Sequence, residues 1–220
     1  MLNFSISSWV AIPPDLAAGA AGTPPMATKR RATAIGRKAL DAAWAVIPPG
    51  TGARLVLSSR HGEYARTWGL LRSLVEDGTV SPADFSMSVH HALVGLLSIA
   101  TGNRAGHTAV AAGADSFCYG MLEAATCAIE DGRPVVLIHY DEPLPDCYGP
   151  VSEPDPPALA LAVVIAPGGG EALEFTVGPA ARPPGAPQDA ARAFLDFLQS
   201  GAAECVVDGE RLAWRWRRAA

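Results

Sequence analysis

Residues 88–142, SVHHALVGLLSIATGNRAGHTAVAAGADSFCYGMLEAATCAIEDGRPVVLIHYDE, decide the fold. Val89, Leu93, Leu96, Leu97 and Ala100 recur at helical spacing, and Gly102 supplies the stop that a left-handed C-cap requires. Thr108 to Ala112 is a run of small residues suited to a short strand. Asp115 is placed to act as a cap or first-turn anion for a long helix reaching Glu130. In that helix Phe117, Met121, Ala124 and Ala128 share one face, and Cys118, Leu122, Ala125 and Ile129 widen the apolar surface, so neighbours are expected on several sides. Val135 to His139 then reads as a core strand. Helices alternating with strands are the mark of an α/β domain.

Four runs in and just beyond this stretch carry a resemblance: Ser88-Val89-His90-His91, Thr101 to Gly106, Thr108 to Ser116, and Asp141-Glu142-Pro143-Leu144-Pro145. Together they resemble the β-ketoacyl synthases of the thiolase-like superfamily. There a Ser-Val-His-Asn-like helix start is followed by a Leu-Gly-Xaa-Xaa-Gly turn, a short strand and Thr-Ala-Cys-Ala-Ser. The resemblance covers residues 58–177 and is densest from Ser88 to Pro145. It implies an α/β thiolase-like half-fold, the N-terminal half of a ketosynthase, with a mixed sheet and covering helices in one domain spanning residues 1–220. Residues 178–220, a C-terminal helix and hairpin, lie outside the matched region.

Laid onto the motif without gaps, the nucleophilic cysteine falls on Gly113. Ketosynthases form a thioester by attack of a thiolate exposed at a helix N-terminus, where the dipole lowers its pKa. Glycine cannot carry an acyl group. Cys118 lies more than one helical turn past the elbow and reads as a buried structural cysteine. Family members have two similar halves, and the histidines that drive decarboxylation come from the second. The five histidines here, His61, His90, His91, His107 and His139, stand in no comparable context, so no catalytic residue is expected.

Apolar residues make up 49% of the 220 positions and charged residues only 18%, against about 25% in an average domain, so the chain should bury much surface, partly in a partner. Cys118, Cys127, Cys147 and Cys205 have no paired spacing and no secretory signature precedes them, which points to the cytoplasm and away from zinc. A net charge of −5 disfavours nucleic acid, and no window has the roughly 18 apolar residues of a membrane span. Two basic clusters, Lys29-Arg30-Arg31 with Arg37-Lys38 and Arg215 with Arg217-Arg218, read as solvated surface, with docking of an acidic carrier protein as the functional alternative.

Outward from the centre, Phe4–Ile12 reads as the first strand, Pro13–Pro25 as a loop, Thr33–Ile47 as a helix ended by Pro48-Pro49-Gly50, Arg54–Leu57 as a buried strand and Tyr64–Glu76 as a helix. Ser81 and Asp84 are spaced as a helix cap. Ser59, His61 and Glu63 have hydrolytic chemistry but crowd one short loop, where loop geometry and capping are the better account. After a linker at Pro150–Pro157, Ala158–Ala166 and Leu173–Val177 read as a hairpin across Pro167-Gly168-Gly169-Gly170-Glu171. A helix over Asp189–Gln199 and a hairpin of Glu204–Val207 with Leu212–Trp216 complete the chain, with Leu212, Trp214 and Trp216 facing the core.

Within the family, the resemblance is nearest to the short cysteine-less proteins that accompany aryl polyene polyketide synthases and look like chain-length factors. It implies a noncatalytic subunit that pairs with an active ketosynthase and shapes its acyl tunnel, substrate arriving on the phosphopantetheine of an acyl carrier protein, with no cofactor of its own. The implied interface is Ser88, His90, His91, Gly95 and His107 through Ala112, namely Thr108, Ala109, Val110 and Ala111 between them. Phe85 and Met87 are the implied tunnel gate. Two other readings stay open. One is a homodimeric scaffold for acyl chains or carrier proteins. The other is an independent acyltransferase or hydrolase using Cys118 or Ser116 with His61, His90 or His107. A half-fold also leaves the Phe117–Ile129 helix uncovered, so a partner or a rearranged C-terminal segment must cover it.

Overall fold

The computed structural model describes residues 1–12, 23–47, 52–149, 156–180 and 188–219. In chain order the elements are β1 (Leu2–Ile12), α1 (Met26–Lys29), α2 (Ala34–Val46), β2 (Arg54–Ser58), α3 (Tyr64–Asp77), α4 (Pro82–Ser86), α5 (His91–Thr101), β3 (His107–Val110), α6 (Ser116–Asp131) and β4 (Val135–Asp141). A 3-10 turn at Asp146–Tyr148 precedes β5 (Leu159–Ala166), β6 (Glu171–Pro179), α7 (Ala190–Ser200), β7 (Glu204–Asp208) and β8 (Leu212–Arg218). The expected boundaries hold within a few residues, and the one-turn α1 was not anticipated. The expected strand at Thr108–Ala112 begins instead at His107 and ends at Val110, and Val89 precedes α5 rather than joining it. The expected stop at Pro48-Pro49-Gly50 and most of the loops at Pro13–Pro25 and Pro150–Pro157 lie outside the described residues.

The eight strands form one mixed sheet in the order β3-β2-β4-β5-β1-β6-β8-β7. β3, β2 and β4 run parallel, joined by helical crossovers, while every other pairing is antiparallel. β5 is buried along its whole length because both faces are covered. Its odd-numbered residues Leu161, Val163 and Ile165 meet α6 and α7, and the alternate Ala160, Ala162 and Val164 meet α2 and α5.

One reading is corrected by the topology. β5 and β6 do not form a hairpin, because β1 lies between them and pairs with both. The glycine run is therefore a bridge across β1. At Gly170, with φ +134°, a β-carbon would collide with the backbone of Ile6 and Ser7, beside the bulge where the β1–β5 register shifts. Only glycine lets the chain cross that closely.

Local chemistry accounts for the helix ends. The Thr33 hydroxyl accepts the Gly36 N–H at 3.2 Å, and the buried Glu63 carboxylate accepts both the Thr33 N–H at 3.0 Å and its hydroxyl at 2.8 Å. Glu63 thus caps α2 from another segment. Ser81 caps α4 and Asp189 caps α7, while Gly78, Gly102, Gly132 and Gly201 close helices in left-handed geometry.

The exposed face expected on α6 is covered by the chain's own C-terminal segment. Phe117 lies 5.4 Å from Phe194 and 6.2 Å from Trp216, and Tyr119 packs edge-on against Trp214 at 4.8 Å, all between ring centroids. Trp214 and Trp216 are fully buried and stack on Phe175. On the opposite face of these strands Arg215 pairs with Glu204 at 2.8 Å and Arg217 pairs with Glu174, while Arg218, on the tryptophan face, pairs with Glu171 and lies over Phe197. The C-terminal arginines are rungs between strands rather than an open basic patch.

Candidate functional site

The turn between β3 and α6 has the geometry of a nucleophile elbow. Gly113 sits at φ +60°, a conformation that side chains rarely adopt, and an isolated bridge joins Ala112 to Ala114. The Ser116 hydroxyl donates to the Gly113 carbonyl at 2.7 Å and accepts the Ala112 N–H at 2.9 Å, so it braces the turn. Asp115 stands at the N-cap position of α6, as expected, but its side chain makes no capping hydrogen bond to the helix. Its carboxylate instead accepts the Glu210 N–H at 3.1 Å, from the tip of the β7–β8 hairpin. Burial pushes the Asp115 carboxyl above its ordinary value, and the charge of Glu210 adds to the shift.

Opposite the elbow, the end of β4 organises the loop after β2. Asp141 accepts the Ser59 hydroxyl at 2.8 Å, the Arg60 N–H at 2.8 Å and the His61 N–H at 3.0 Å. Ser59 in turn accepts the Gly62 N–H at 2.7 Å. His139 and Ser58 are register partners on neighbouring strands, with Nδ1 of His139 2.9 Å from the Ser58 hydroxyl and its Nε2 3.7 Å from Asp141. Burial lowers the His139 pKa, so the ring is neutral near pH 7. Between the two sides lies a cavity of about 60 Å³ lined in part by His61, Gly113, Ser116, Phe117, His139 and Asp141.

Ser59, His61 and Glu63 are held apart in separate tasks: Ser59 and the His61 backbone serve Asp141, and Glu63 caps α2. Cys118 is fully buried, and desolvation drives its thiol well above the ordinary value, with Asp115 and Cys205 adding to the shift. A thiol so held is a poor nucleophile. Ser116 is buried and both its hydrogen bonds go to the elbow backbone. Among the described residues no cluster of three or more His, Cys, Asp or Glu could hold a metal, and no helix is long and apolar enough to cross a membrane.

The remaining residues singled out from the sequence gather at one end of the sheet. Among the described residues β3 pairs only with β2 and has no strand on its other edge. Gly106 C=O accepts from Leu55 N–H and Val110 C=O from Ser59 N–H, so in a parallel ladder Thr108 and Val110 point their backbone groups at β2 while His107 and Ala109 point theirs outward, as does Ala111 beyond the strand's end. His107 lies 4.6 Å from His91 between ring centroids, and Gly95 faces its ring. Burial lowers the His107 pKa and His91 lowers it further. His90 packs its ring on Gly62. Ser88 donates its hydroxyl to the Phe85 carbonyl at 2.8 Å. Phe85 is 63% exposed, whereas Met87 at 6% belongs to the core beneath α2 and α5.

Sequence reasoning missed two residues, Glu210 and the bracketing role of Asp141. Asp141 was visible as part of a recognisable loop, but its partners are set by the β2–β4 register. Glu210 had no signal, because its place depends on the fold of the C-terminal hairpin onto the elbow.

The sequence matches the family model for the beta-ketoacyl synthase N-terminal domain over residues 7–217. Among solved structures, a chain of the ketosynthase (ApeO) in complex with its chain length factor (ApeC) from Xenorhabdus doucetiae superposes with a TM-score of 0.86 at 28% identity, over 99% of this chain and 100% of that chain. The ishigamide ketosynthase/chain length factor superposes at a TM-score of 0.61 and 12% identity, over 80% of this chain and 68% of that one, a likeness of fold. Among curated proteins, none matches this chain.

Proposed function

Since this chain belongs to the β-ketoacyl synthase N-terminal domain family, we propose that it is the noncatalytic, chain-length-factor-like subunit of a ketosynthase heterodimer. The observation that carries the proposal is an elbow kept in full geometry around a residue with no side chain. Gly113 holds the left-handed turn, Ser116 braces it and α6 follows it, yet nothing at that position can attack a thioester. A partner ketosynthase supplies the nucleophile and the histidines, and the acyl chain reaches it on the phosphopantetheine of an acyl carrier protein. Overlap with a chain in the ApeO–ApeC complex from end to end supports this reading over that of a lone enzyme.

The open edge of β3 is the proposed seat of the partner. Its outward-facing N–H and C=O groups need a strand to pair with, and the small side chains of Ala109, Ala111 and Ala112 permit close approach. On α5, which packs against β3, Ile99 is 79% exposed, and in the segment that leads into it Val89 is 52% and Phe85 63% exposed. Ser88, His90, His91, Gly95 and His107 are the proposed flank of this interface, with Phe85 and Met87 as the proposed tunnel gate, of which Phe85 is exposed and Met87 buried in this chain. Aryl polyene assembly in the cytoplasm is the setting that the sequence resemblance favours.

Co-expression with the ketosynthase encoded nearest to it tests the proposal. The expected result is a 1:1 complex by native mass spectrometry that condenses malonyl units on a carrier protein, with neither chain active alone. A self-sufficient ketosynthase that leaves this chain as a separate homodimer would replace the proposal with the scaffold reading.

A further inference from the structure

We infer that the tip of the β7–β8 hairpin is a latch that closes the elbow from within the chain. The inference holds for the isolated protein and goes beyond the proposed pairing. The contact is reciprocal: Ala114 N–H donates to the Glu210 carboxylate at 3.3 Å, and Glu210 N–H donates to the Asp115 carboxylate at 3.1 Å. Each side offers one carboxylate and one backbone N–H, the same exchange that a capping box makes within a single helix start.

Both sides are also cleared of side chains where they meet. A β-carbon at Gly113 would stand 2.7 Å from the Glu210 Oε1, and one at Gly209 would run into the Asp115 carboxylate. Glu210 therefore fills the space into which a side chain at position 113 would project. The two carboxylates repel, as the raised Asp115 carboxyl shows, and the amino end of the 16-residue α6 and the backbone N–H that each accepts work against that repulsion. The Gly209 N–H closes the tip on the Leu212 carbonyl at 2.8 Å, so the tip is shaped independently of the elbow it covers.

A residue-113 side chain and the Glu210 carboxylate overlap as placed, so one must displace the other from the turn. The latch is a cover: while it is closed, the Glu210 carboxylate occupies the place of a residue-113 side chain, and a thiol restored there has to compete with it. The absence of a nucleophile and the presence of the hairpin are two parts of one arrangement.

An engineered thiol reads the latch directly. Gly113→Cys and Gly113→Cys/Glu210→Ala are alkylated with iodoacetamide, and the rate at residue 113 is followed by peptide mass spectrometry, with buried Cys118 and exposed Cys147 as slow and fast internal standards. The thiol is expected to react about tenfold or more faster when Glu210 is absent. Equal rates would overturn the latch. Where the cysteine variants fail to fold, residue-resolved hydrogen exchange on Glu210→Ala decides. A loss of protection of about tenfold at both the Ala114 and residue-210 amides, with Trp216 unchanged, supports reciprocal closure. Unchanged protection at both overturns it.

Discussion

Phe85 and Met87 are two positions apart and meet different surroundings: Phe85 has its ring in solvent, whereas Met87 is in the core with Leu93, Leu97 and Leu40. Their truncations should therefore separate stability from function. Met87→Ala leaves a cavity and is expected to cost about 2–4 kcal/mol in chemical denaturation. Phe85→Ala is expected to stay within about 0.5 kcal/mol, as surface substitutions do. In the co-expressed complex only Phe85→Ala should lengthen or spread the products, measured by mass spectrometry; an unchanged profile would remove Phe85 from the tunnel. The elbow was legible at this scale because Ala112-Gly113-Ala114-Asp115-Ser116 keeps the spacing of a motif. The roles of Asp115 and Glu210 were not, since a carboxylate at a helix start looks like a cap whether it serves its own helix or a distant hairpin.

Among the elements, β3 gives the sharpest test because its two edges differ. Ala109 turns its N–H outward, so Ala109→Pro should leave the β2–β3 ladder intact, keep the chain folded, and abolish association with a ketosynthase in size-exclusion chromatography. Thr108→Pro removes a bond within the sheet and should lower stability of the chain itself by about 1–3 kcal/mol. A folded Ala109→Pro variant that still binds its partner would move the interface away from this edge. Helix and strand identities were readable from periodicity and from Ser81, Asp189 and the terminal glycines, which act locally. The supposed β5–β6 hairpin was misread because two apolar runs joined by Pro-Gly-Gly-Gly carry every local sign of one. The strand that separates them comes from the other end of the chain, and no local pattern announces a non-local insertion.

At the scale of the molecule, the C-terminal segment covers the face of α6 that was expected to lie open. Trp216 is the centre of that cover, touching Phe117, Phe175 and Phe194. Trp216→Ala is expected to cost about 3–5 kcal/mol and to lower Tm by on the order of 10 °C in calorimetry. An unshifted Tm would show that α6 does not depend on this cover. The glycine bridge over β1 has another consequence, which concerns synthesis. β1 is made before either of its partners, and β5 follows only about 150 residues later, on the order of 10–30 s at ordinary ribosome speeds. For that interval an apolar strand waits beside the ribosome with both edges unsatisfied. The parallel β3-β2-β4 side can assemble first, β1 joins it only through β5, and β6, β8 and β7 extend the sheet from β1 afterwards.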